Sequence, residues 1–95
     1  MLTIEHFKSF ANTPFKLELN EAELEAELIK VTPLKQHLPD LIRVPFSLLF
    51  EVHSETLPIQ GNYRVKHDTM NDSTLFLVPV QSRNNGKHFL EAVFN

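Results

Sequence analysis

The sequence contains no cysteine and no tryptophan, and only 2 glycines in 95 residues. Without thiols there is no disulfide, no thiolate zinc site and no iron–sulfur cluster, and the redox compartment stays open. Gly61 and Gly86 stand alone. That isolation removes the GxGxxG fingerprint, the phosphate-binding P-loop and the nucleophile elbow, which all use glycine to bring backbone against a ligand or to turn sharply. Long apolar runs are missing as well. The longest falls far short of the roughly 20 residues that a membrane-spanning helix needs, so membrane insertion is not expected. Residues Met1 to His6 have neither a basic n-region nor an apolar h-region, which argues against a secretory signal and for a cytoplasmic location. Basic excess is also lacking, with 9 Lys+Arg against 12 Asp+Glu and a net charge of −3. The cations are scattered rather than striped, so no nucleic-acid partner is expected.

What is present is the pattern of one small β-rich domain spanning residues 1–95. A chain of this length buries roughly 65% of its unfolded surface, enough for one hydrophobic core. Thr3 is positioned to cap a short helix over Ile4 to Phe10, which Asn12-Thr13-Pro14 ends. Period-2 alternation follows in Phe15-Lys16-Leu17-Glu18-Leu19. Glu23 to Thr32 fits helical spacing through Leu24, Leu28 and Val31, and strand spacing through Leu24, Ala26 and Leu28. Pro33 would cut a helix short, so a strand is expected there. Pro33 to Pro39 reads as an irregular loop, and Val44 to His53 as the clearest strand, with Val44, Phe46, Leu48, Phe50 and Val52 on one face. Tyr63 to His67 is a further strand, Asp68 to Ser73 a polar connection, and Thr74 to Val80 and His88 to Phe94 a closing hairpin around Asn84-Asn85-Gly86. Together these predict a mainly β fold, a small antiparallel meander closing into a barrel or sandwich behind a short N-terminal helix.

No constellation in the chain carries catalysis, and no cofactor or metal site is expected. His53, His67 and His88 fall at or near strand ends and are the best candidates for convergence on a metal. More simply, each makes an ordinary surface hydrogen bond. Glu18, Glu21, Glu23, Glu25 and Glu27 read as a solvated strand face that also guards a sheet edge. Asp68, Asn71 and Asp72 read as Asx turns between strands. Arg64 and Lys66 have acidic neighbours for surface ion pairs.

The informative excess is apolar. Leu49, Phe89 and Val93 lie on the faces opposite the expected core, and Thr74 to Val80 is apolar on both sides. Two readings follow: a second layer formed by the N-terminal helix over this face, or a protein interface. An open last strand running to Phe94 would suit strand addition.

Several stretches together resemble a family of small bacterial proteins of unknown function. They are Leu2-Thr3-Ile4-Glu5-His6-Phe7, Phe15-Lys16-Leu17-Glu18-Leu19, Val31-Thr32-Pro33-Leu34, Pro45-Phe46-Ser47-Leu48-Leu49-Phe50, Gly61-Asn62-Tyr63-Arg64-Val65-Lys66-His67, Leu75-Phe76-Leu77-Val78-Pro79-Val80 and Glu91-Ala92-Val93-Phe94-Asn95. The Glu23 region is more acidic than the usual pattern. Such proteins resemble stand-alone domains encoded beside proteins similar to phage tail-collar or microcystin-dependent fibre proteins, and the resemblance implies a part in fibre or tail-like assembly. It supplies no catalytic residues. The expected function is therefore a non-enzymatic interaction or assembly module, with Leu49, Phe89 and Val93 as its interface and a protein, a tail-collar-like fibre protein or a second copy, as its partner. Two alternatives stay open: a barrel holding a small apolar ligand against Phe46, Phe50 and Tyr63, and a metalloenzyme built on His53, His67 and His88.

Overall fold

A computed structural model describes residues 4–34, 45–53, 58–68, 70–80 and 87–94. The helix α1 (Ile4–Lys8) precedes six strands: β1 (Pro14–Leu19), β2 (Ala22–Pro33), β3 (Phe46–His53), β4 (Gly61–His67), β5 (Met70–Val80) and β6 (His88–Phe94). They close into an antiparallel barrel in the order β1-β2-β3-β6-β5-β4. The barrel is two three-stranded meanders, β1 to β3 and β4 to β6, sewn together where β3 pairs with β6 and β1 pairs with β4. Closure gives every strand two neighbours, which is how a small sheet limits exposed edges, although β5 pairs with β4 only over Met70 to Leu77 and with β6 only over Val78 to Val80.

The segment from Glu23 to Thr32 is strand, as its alternation predicts. Pairing on both sides settles the competition with helical spacing: β1 takes Ala22 to Glu27 and β3 takes Glu25 to Pro33. A bulge between Leu28 and Lys30 lets β2 bend as it passes from one partner to the next. The β1–β2 hairpin turns through Asn20 and Glu21, whose φ values of 48° and 71° are both left-handed, as a two-residue turn with the twist of its strands requires.

Alternate residues fill the interior. Phe15, Leu17, Ala26, Leu28, Phe46, Leu48, Phe50, Val52, Tyr63, Val65, Leu75, Leu77, Leu90 and Ala92 are all buried. The helix is shorter than expected, ending at Lys8, and Thr3 lies outside the described residues. Its Phe7 is fully buried between Phe46 and Phe94, with ring centroids 5.9 and 5.8 Å away. Phe46 and Phe94 in turn stack at 4.5 Å. Because both face inward, α1 closes one end of the barrel and does not cover the outer face of Leu49, Phe89 and Val93. The reading of the helix as a second layer is corrected on that ground.

Three further expectations change. The polar connection expected over Asp68 to Ser73 holds at Asp68, a turn residue after β4, but not from Met70 onward, where β5 begins and pairs Ser73 with Val65 and Thr74 with Arg64. The pairing of Met70 with His67 and of Ser73 with Val65 carries the backbone of Asn71 and Asp72 through β5, at the irregularity between Val65 and His67, and not through a turn between strands. The glutamates of β2 guard no edge, because β2 is an internal strand. Nor is the last strand open: β6 pairs with β3 from His88 to Phe94 and with β5 from Phe89 to Glu91. The loop at 35–40 and the turn at Asn84-Asn85-Gly86 fall outside the described residues.

Candidate functional site

The outside of the barrel has two unlike walls. On β4, β1 and β2 the outward positions are charged and cross-linked. Lys66 Nζ donates to Glu18 Oε2 at 3.1 Å and lies 3.7 Å from Glu23, Lys16 reaches Glu23 at 3.9 Å, and Arg64 pairs with Asp72 at 3.3 Å. The hydrogen bond to Glu18 holds the Lys66 ammonium above its ordinary 10.5, with the charge of Glu23 adding to it. A concavity of about 450 Å³ opens on this wall beside Lys16, Glu25 and Lys66. His53 and His67 line it and His88 does not.

His67 has a defined environment of its own. Its ring sits 4.6 Å from both Phe10 and Phe15, and its Nε2 lies 3.0 Å from the Thr13 hydroxyl. Thr13 donates its one proton to the Phe10 carbonyl, so the hydroxyl can only accept from His67, which fixes a proton on Nε2. The contact ties the segment between α1 and β1 to the end of β4. Among the described residues no three His, Asp or Glu side chains lie where they could hold one metal ion.

On β3, β6 and β5 the outward positions are mixed, with polar Ser47, Glu51 and His53 along β3 and Asp72 and Thr74 at the start of β5, and a run of apolar side chains between them. The register places Glu91 of β6 between Leu49 of β3 and Val78 of β5. Phe89 and Val93 flank it along its own strand, two residues to either side. Leu49, Phe89 and Val93, singled out from the sequence as facing away from the core, are thus gathered on one wall. Leu49 and Phe89 are half-buried there and Val93 is 53% exposed. Phe76, also 53% exposed, and the exposed Val78 and Val80 extend the patch along β5.

The same wall contains a seam. Pairing between β5 and β6 stops at Val78↔Glu91; Leu77 and Ala92, next along the ladder, are not partners. The strands separate there around a groove of about 350 Å³, whose lining includes Phe76, Val78, Glu91, Val93 and Phe94. Glu91 is the residue that sequence reasoning passed over. Its signal was available: in the outward set Phe89, Glu91, Val93 it is the one charged side chain.

Among the described residues, the interior positions are filled by packed side chains. Phe46, Phe50 and Tyr63, the expected lining of a ligand-binding barrel, are at most 2% exposed and belong to the packed core. The Tyr63 hydroxyl donates to the Ile59 carbonyl, and burial pushes its phenol above the ordinary 10.0. No helix among the described residues is long and apolar enough to cross a membrane.

No curated protein and no solved structure matches the chain. A family model does, over residues 2–94, and its description is a domain of unknown function, DUF6916. With a match of that extent, the chain belongs to this family.

Proposed function

We propose that the protein is a non-enzymatic interaction or assembly module that docks a protein partner on the outer wall of β3, β6 and β5. The observation that carries this reading is the continuity of Leu49, Phe89 and Val93 with the exposed Phe76, Val78 and Val80 on one side of a closed barrel. Apolar surface of this kind is seldom left to water by a small domain unless something covers it. The opposite wall, bound up in its own ion pairs, offers no such incentive.

The resemblance to proteins encoded beside tail-collar-like fibre proteins makes an accessory, structural or chaperone subunit of a fibre or phage-tail-like assembly the specific form of the proposal. Its location on this reading is the cytoplasm, where such structures are put together.

Affinity capture with a small N-terminal tag, followed by quantitative mass spectrometry, tests the reading. Wild-type protein should retain one partner at fixed stoichiometry. Val93→Asp, at an exposed position, should lose it while unfolding within about 0.5 kcal/mol of wild type, as surface substitutions usually do. Retention of the partner by a folded Val93→Asp protein would remove this wall as the docking surface.

A further inference from the structure

Glu91 is the anomaly on the apolar wall. A carboxylate there is half-buried, and its nearest cross-strand neighbours are Leu49 and Val78, with Phe89 and Val93 on its own strand. Among the described residues it makes no ion pair and no side-chain hydrogen bond. The closest basic position in register is Lys30, which pairs with Leu49 and is therefore a whole strand away. Among the described residues, Lys87 near the start of the same strand is committed to Glu51 at 3.3 Å. If the wall is covered as proposed above, an unanswered carboxylate at its centre would be stranded in a low-dielectric contact, which is costly unless the covering surface supplies a cation.

From this we infer that the occupant of the wall is an extended segment of a partner protein bearing one lysine or arginine between apolar side chains, with its cation on Glu91. The groove fits this occupant. Its volume, about 350 Å³, accepts a long side chain whose methylene stem lies along Val78 and Val93 while its charged end reaches the carboxylate. Beyond Val78 and Glu91 the two strands are not paired, and the groove is lined there by Ala92, Val93 and Phe94 of β6, which leaves the β6 backbone open to an extended chain, the geometry in which peptides add to a sheet. A second copy of this chain docked by its own β6 about Glu91 would set carboxylate against carboxylate, and is disfavoured on that account.

The inference rests on the docking reading but fails separately from it. The probe is a set of short acetylated peptides of alternating threonine and valine with a single central lysine, norleucine or glutamate, titrated by fluorescence anisotropy. The lysine peptide should bind wild-type protein at least about ten-fold more tightly than the norleucine peptide, as expected for a partly desolvated charge pair. Glu91→Gln should erase that preference, and Glu91→Lys should transfer it to the glutamate peptide. Equal binding of lysine and norleucine peptides would overturn the inference while leaving an apolar docking wall intact. Absence of binding by any peptide would overturn it, as would a concentration-dependent dimer of wild-type protein that Glu91→Gln tightens. A Glu91→Gln protein that merely loses solubility, with lysine-peptide affinity unchanged, would show that the carboxylate serves only to keep the wall from aggregating.

Discussion

Tyr63 is the single tyrosine of the chain, and its raised phenol pKa has a direct consequence for stability. In the unfolded chain a tyrosine gives up its proton near pH 10, while the folded barrel holds the proton to higher pH because the phenolate would be desolvated. Above pH 10 the folded state binds more protons than the unfolded one, so stability falls as pH rises through that range and is unaffected below it. Tyr63→Phe should lose about 1 kcal/mol at neutral pH, the worth of the hydrogen bond to Ile59. It should also decline less steeply above pH 10 than wild type, which denaturant melts at several pH values would read. At the β1–β2 turn, Glu21 adopts a φ of 71° that an L side chain enters only with strain. Glu21→Gly removes the strain at some cost in chain entropy, for a net gain of about 0.5 kcal/mol that a chemical denaturation curve should show. Single positions also mark where sequence reading stops. Leu49, Phe89 and Val93 could be picked out because a period of 2 fixes which face a side chain takes. Glu91 had meaning only once the register showed its neighbours on β3 and β5.

Among the elements, β2 shows how pairing decides what propensity leaves open. Glu, Ala, Leu and Lys are good helix formers, and Leu24, Leu28 and Val31 keep helical spacing. The strand wins because two neighbours bond it along its length and because Ala26 and Leu28 become buried only in that form. Within Asp68 to Ser73 the reverse holds, since polar residues conceal a strand that begins at Met70 and pairs with β4 at Met70 and Ser73. The helix α1 is too short to be stable alone. It persists because Phe7 plugs the barrel end against Phe46 and Phe94 and because Thr13 and His67 pin the segment that follows. Phe7→Ala should destabilise the protein by about 3–5 kcal/mol, the usual range for emptying a buried aromatic site. Thr13→Val, which replaces the hydroxyl by a methyl group, should cost about 1 kcal/mol and increase amide exchange in α1 more than in β3.

In the whole molecule, five or six strands, their antiparallel sense and the inward faces are legible from alternation and turn residues, while barrel and sandwich stay undivided. The strand order is not legible. Alternation states which way a side chain points but not which strand lies beside it, and the joins of β3 to β6 and of β4 to β1 form between residues far apart in the chain. That closure gives the barrel its two walls, charged on β4, β1 and β2 and carrying an apolar patch on β3, β6 and β5. It also places the gathered apolar residues around one carboxylate beside a groove. The most direct test of the docking wall is site-specific photo-crosslinking in the source cells, with a benzophenone side chain placed at Val93 in one variant and at Glu25, on the charged wall, in another. The account predicts a discrete cross-linked product from Val93 and none from Glu25. No product from Val93, or the same product from both positions, would contradict it.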